Sequence, residues 1–94
     1  MDCKTLHFSR HAFERMFQRG INPDVVTQII AEGEVIANYS DDLPFPSVLL
    51  LSVYGKAAVH AVIARDPATA SCYLVTIYLP DAAIWDESFK KRRT

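Results

Sequence analysis

Long apolar runs are missing from this 94-residue chain. No stretch approaches the roughly 18 residues of a membrane span, and no apolar run follows a charged amino terminus, so neither a membrane anchor nor a targeting leader is expected. Cysteine is scarce: Cys3 and Cys72 lie far apart and form no CxxC pair. That usage fits two reduced thiols acting as small packing residues in a cytoplasmic protein. Only three glycines are present, and none builds a phosphate-binding loop. There is no serine-centred nucleophile elbow and no ordered acidic cluster for magnesium. His7 and His11 are four apart, but a cap at Ser9 leaves His7 outside the helix, and no third ligand is spaced for zinc. Neither metal nor cofactor is expected.

What is present suits one compact domain over residues 1–94. Half of the residues are hydrophobic and 22% are charged, an ordinary globular balance. The formal net charge of -1 hides an asymmetry, because Lys90, Lys91, Arg92 and Arg93 supply four positive charges. Taking those four away leaves -5 on residues 1–89. An acidic body with a basic tail at 86–94 can hold an anion locally, but long-range steering toward nucleic acid is not expected. The plain alternative for the tail is a frayed, solubilising terminus.

The stretch "FSRHAFERMFQRGINPDVV" (8–26) is a helical hairpin with clear punctuation. Ser9 caps a helix whose apolar positions are Ala12, Phe13, Met16 and Phe17, the spacing of one buried stripe. Gly20 stops it by entering the left-handed region. Asn22 caps a second helix with Pro23 at its first position and Asp24 against the dipole. Val25, Val26, Ile29 and Ile30 form its stripe, and Gly33 ends it. The period then changes from about 3.6 to 2. "EVIANY" (34–39), "VLLLSVY" (48–54), "AVHAVIA" (58–64) and "CYLVTIYL" (72–79) read as strands, and "SDDLPFP" (40–46) as a break.

The expected architecture is α+β, with two amino-terminal helices on one face of a roughly four-stranded antiparallel sheet. Leu49, Leu51 and Val53, then Val59, Ala61 and Ile63, then Tyr73, Val75 and Ile77 make the greasier, core-facing side. Tyr54, His60, Thr76 and Tyr78 fall on the other. A two-residue turn at Gly55–Lys56 would invert that parity, so the assignment needs a longer loop or a bulge. Trp85 and Phe89 are placed to pin the carboxyl-terminal segment on the body.

Stepping about 100° per residue from His11 puts Arg15 near 40° and Arg19 near 80°, while the apolar positions span roughly 100° to 240°. The cationic row therefore borders the buried stripe and looks over the sheet edge. The bland reading is two arginines with their stems on the core and their heads in water. His60 interrupts an apolar strand: it is either a satisfied half-buried residue or a general acid or base. Tyr54, Thr76 and Tyr78 offer hydroxyls on its face. These residue types permit metal-independent RNA cleavage, in which a base takes the 2′-hydroxyl proton, an acid protonates the leaving oxygen and arginines stabilise the phosphorus centre.

The hairpin stretch, "GEVI", the strand carrying His60, "VTIYLPDAAIW" and the closing "FKKRR" together resemble the small prokaryotic proteins of family DUF4258. The likeness covers nearly the whole chain. It implies a RelE- or barnase-like ribonuclease fold, a toxin of the toxin–antitoxin kind and a cognate antitoxin as partner. Carried over residue by residue, it marks His11, Arg15, Arg19 and Gly20, then His60, Tyr78, Pro80 and Trp85, and the terminal Arg92 and Arg93. His60 follows Gly55 one residue later than the family pattern has it. The resulting expectation is a ribonuclease with His11, His60 and Tyr78 catalytic, and Arg15, Arg19, Arg92 and Arg93 holding RNA. The alternative is a non-catalytic interaction module, which the acidic body favours. A homodimer through the less covered sheet face is expected in either case.

Overall fold

The computed structural model describes residues 1–93. Its elements in chain order are β1 (Thr5–Phe8), α1 (Arg10–Arg19), α2 (Pro23–Glu32), β2 (Glu34–Tyr39), β3 (Ser47–Tyr54), β4 (Ala57–Arg65) and β5 (Ser71–Tyr78). Among the described residues, no helix is long and apolar enough to cross a membrane.

The helical hairpin forms where its local signals put it. The Ser9 side chain accepts from the Ala12 N–H, and Gly20 closes α1 at φ 64°. Asn22 caps α2 by accepting from the Asp24 N–H, with Pro23 at the first helical position. The four expected strands appear as β2 to β5, each end within one residue of its expected place.

The sheet itself departs from expectation. It has five strands in the order β1-β5-β4-β3-β2, and it is mixed, because β1 runs parallel to β5. A four-residue strand with its partner at positions 71–74 gives no local alternation long enough to be read. The same pairing corrects the reading of the cysteines. It lays the amino terminus beside β5, and Cys3 is disulfide-bonded to Cys72 across a Cα separation of 5.6 Å.

Strand parity is corrected too. Tyr54 pairs directly with Ala57, so Gly55–Lys56 is the two-residue turn that inverts β3. Val48 and Leu50, not Leu49 and Leu51, therefore share a face with Val59, Ala61 and Ile63. A bulge in β5 pairs Val62 with Thr76 but Ile63 with Leu74, leaving Val75 without a partner. Cys72, Leu74 and Ile77 thus turn inward, while Tyr73, Thr76 and Tyr78 turn outward.

The core lies between the helices and this inward face. Helix α1 lies against β5 and α2 against β3, with Ala12, Met16, Val26 and Ile29 meeting Leu50, Ile63, Leu74 and Ile77. Each large aliphatic side chain fully buried there contributes about 1.5–3 kcal/mol. The buried stripe of α1 is narrower than its apolar spacing suggests, since Phe13 is 56% exposed and Phe17 86% exposed. With Ala12 and Met16 at the contact, the two phenylalanines are left on the outer flank, where Phe13 touches only the edge of Phe8 among the aromatic rings.

Gly33 joins α2 to β2 at ordinary extended angles, and its lack of a side chain matters for space. A Cβ there would overlap the Ile29 carbonyl oxygen, a backbone atom that cannot swing away. Gly33→Ala is expected to cost about 1–3 kcal/mol through that overlap. A urea melt checks this, and an unchanged midpoint would show that the helix–strand junction relaxes freely.

The carboxyl-terminal segment is no frayed tail. Residues 81–93 fold back across the outward face as a strap, with Trp85 and Arg92 bridged antiparallel. The Arg93 N–H donates to the Ile84 carbonyl at 2.7 Å, and Lys90 pairs with Glu34 of β2 at 3.0 Å. Thr94, the last residue of the expected tail, lies outside the described residues.

Candidate active site

The end of β1 delivers the chain to the free edge of β5, and α1 starts there. The Ser9 N–H donates to the Leu74 carbonyl at 3.3 Å, and the Ser9 hydroxyl to the Val75 carbonyl at 3.2 Å. One turn into the helix, His11 Nε2 meets the Thr76 hydroxyl at 3.2 Å. His11 is exposed, so the same imidazole is open to a ligand. Arg15 and Arg19 follow along that flank. Both are exposed, and no carboxylate pairs with either among the described residues. The neighbouring Arg10 is tied to Glu14 at 3.2 Å.

Thr76 and Tyr78 alternate along β5 and pair with Val62 and His60, so both face outward. Residues two apart on a strand stand about 6.6 Å apart, so the His11–Thr76 contact and the Tyr78–His60 contact are neighbours on one face.

His60 has no exposed surface. Its Nε2 lies 2.8 Å from the Phe89 carbonyl and its Nδ1 3.2 Å from the Tyr78 hydroxyl. A carbonyl only accepts, so Nε2 carries the hydrogen. In the neutral ring Nδ1 is then bare and accepts from Tyr78. The Trp85 ring meets the imidazole edge-on at a centroid distance of 4.5 Å, and Arg92 lies over Trp85 at 5.5 Å. Burial lowers the His60 pKa, against a smaller upward pull from the Phe89 hydrogen bond. Burial, then the Tyr39 phenol, raises that of Tyr78, against an opposing pull from Arg92. At neutral pH both groups are uncharged.

The depressed His60 pKa sets a sign for stability. The unfolded chain takes up a proton near the ordinary value of 6.5, where folded His60 still resists it. Stability contributed by neutral His60 is fully present above that value and is lost as pH falls from it toward the lower folded pKa. Urea midpoints are expected to drop between pH 7.5 and pH 5.5, with a shallower drop in His60→Gln. Equal slopes in both proteins would mean that His60 does not carry the effect.

The expected site residues therefore divide. His11, Arg15 and Arg19 stand together at the open margin of β5. Tyr78 and His60 are bonded to each other under the strap. Arg92 and Arg93 belong to the strap itself, Arg93 donating from Nε to the Ala82 carbonyl at 2.9 Å. As folded here, His60 touches no solvent and offers no free nitrogen.

Beyond Thr76 the same face holds a feature the sequence reading passed over. A half-open cavity of about 390 Å³ lies between segment 40–46 and β5, lined by Asp42, Leu43, Phe45, Ala64, Tyr73 and Val75. Only the strand-breaking prolines of "SDDLPFP" were legible there, and nothing local tells Phe45 to fold back onto Tyr73.

The family model described as "Domain of unknown function (DUF4258)" matches residues 8–79, which hold His11, Arg15, Arg19, His60 and Tyr78. Comparison with the curated proteins and with the solved structures found no match.

Proposed function

We propose that this chain, which belongs to the DUF4258 family, is a metal-independent endoribonuclease of the toxin kind. The observation that supports this reading is His11 bonded to Thr76 at the edge of β5, with unpaired Arg15 and Arg19 following on the same helix flank. His11 takes the proton of a ribose 2′-hydroxyl. The freed oxygen attacks the adjacent phosphorus, and the bond to the 5′-oxygen breaks to leave a 2′,3′-cyclic phosphate. Arg15 and Arg19 stabilise the charge that gathers at phosphorus. To protonate the leaving alkoxide, the Tyr78 hydroxyl turns its hydrogen away from His60 Nδ1, its resting acceptor at 3.2 Å, and a solvent proton then replaces it. A phenol held neutral is still far more acidic than an alcohol. His60 acts here as a positioning residue, fixing the Tyr78 hydroxyl and the strap, while Arg92 and Arg93 lend positive charge to the RNA path.

On this reading the protein works in the cytoplasm, beside its RNA, and a toxin requires a cognate antitoxin. A second copy of the chain would pair through the outward, less covered sheet face.

The second reading is a non-catalytic interaction module. The sealed His60 and the exposed Phe13 and Phe17 favour it. One digestion separates the two: purified protein, single-stranded RNA and excess chelator. Cut RNA with cyclic phosphate ends is expected. Intact RNA leaves the interaction module.

A further inference from the structure

We infer that the cavity between segment 40–46 and β5 is a subsite for one unpaired nucleobase of a single-stranded RNA. The identification of the ligand as RNA rests on the proposed ribonuclease activity; the case for a flat, donor-edged ring rests on the cavity itself.

Its walls suit a planar ring. Tyr73 stacks on His7 at 4.9 Å between centroids and 19° between planes, and on Phe45 at 5.6 Å and 17°. Of the three rings, Tyr73 and Phe45 line the cavity, and Leu43, 91% exposed, adds a further apolar wall. Unpaired bases are held by stacking on aromatic side chains and by hydrogen bonds to their edges.

Two polar groups in the cavity wall keep unused hydrogen-bonding capacity. Asp42 accepts the Ser47 hydroxyl on Oδ2, while its Oδ1 has no hydrogen bond among the described residues. A carboxylate only accepts, so it selects a ring that offers N–H donors. The Tyr73 hydroxyl likewise has no intramolecular partner among the described residues and can donate to a base carbonyl or ring nitrogen.

Charge separates the two halves of a nucleotide along this face. Asp41 and Asp42 make the cavity unwelcoming to phosphate but suited to the neutral, donor-bearing base. Val75 lines the cavity, and the next residue, Thr76, is the one His11 reaches. A base seated against Tyr73 and Phe45 thus leaves its sugar and phosphate beside His11, on the flank that Arg15 and Arg19 extend. That neighbourhood makes the cavity a place for the base next to the scissile bond.

Free nucleosides test the subsite without requiring cleavage. Guanosine, adenosine, cytidine and uridine are titrated separately into the folded protein by NMR and calorimetry. At least one is expected to bind saturably, shifting signals of Tyr73 and Val75. Phe45→Ala should weaken that binding about tenfold, the scale of one lost stacking contact. Asp42→Asn leaves an acceptor for Ser47 but can turn an amide donor toward the base, and is expected to change which nucleoside binds best. The Asp42 variant keeps the test open if Phe45→Ala does not fold. No saturable binding, or equal binding by both variants, overturns the inference. RNA cleavage without nucleoside binding overturns the subsite and spares the nuclease, whereas nucleoside binding with intact RNA does the reverse.

Discussion

His11→Ala is expected to slow cleavage of single-stranded RNA by about 10²- to 10⁴-fold, the usual worth of a positioned general base. The loss should be almost entirely chemical. His11 is exposed and contributes one hydrogen bond, to Thr76 at 3.2 Å, so its removal costs the fold about 1 kcal/mol or less. A rate assay at matched folded fraction checks this, with thermal melts as control. Arg15→Ala and Arg19→Ala should weaken the reaction less steeply, each removing a charge from phosphate and leaving the base in place. A His11→Ala protein that cuts at the parent rate would move the chemistry away from this helix flank.

His60→Ala is expected to destabilise the protein by about 3–5 kcal/mol. Three losses combine. The Phe89 carbonyl is left without its donor, the Tyr78 hydroxyl loses its acceptor, and a cavity opens against Trp85. Small domains are stable by only about 5–15 kcal/mol, so this is a large share. Phe89 sits at φ 59°, in the left-handed region, a conformation costly for a bulky residue unless its surroundings hold it. Without the imidazole, the strap should be the first part to open. Urea denaturation measures the total, and limited proteolysis within 86–93 reports the strap. A variant as stable and as protected as the parent would show that the buried network contributes little. His60→Gln, which keeps a donor for Phe89, should recover part of the loss.

The legible parts of this fold are those whose causes are local. Ser9, Gly20, Asn22 and Pro23 fix the ends of α1 and α2 within a few residues of chain, and short aliphatic and aromatic runs between turn residues mark β2 to β5. The rest depends on partners far away in sequence. Strand β1 exists because β5 offers it an edge, and Cys3 finds Cys72 through that same pairing. The faces of β3 were decided by a two-residue turn, and those of β5 by a bulge at Val75. Val48, Leu49, Leu50 and Leu51 are all apolar, so alternation could not choose between the faces.

The candidate site divides along the same line. The row of His11, Arg15 and Arg19 could be seen on a helical wheel, because three residues one turn apart share a flank wherever the helix docks. Which side of α1 would be wet could not, and Phe13 and Phe17 proved exposed. The sealing of His60 depends on Phe89 and Trp85, which return from 29 and 25 positions away. A short polar segment gives no periodic signal of where it will lie.

The central claim is that a positively charged helix flank beside Thr76 holds RNA and uses its own 2′-hydroxyl as the nucleophile. Paired digestion in chelator tests it most directly, using one RNA strand and the same strand with every 2′-hydroxyl methylated. The account predicts that only the unmodified strand is cut, leaving 2′,3′-cyclic phosphate ends. Two intact strands, or two strands cut alike, would contradict it.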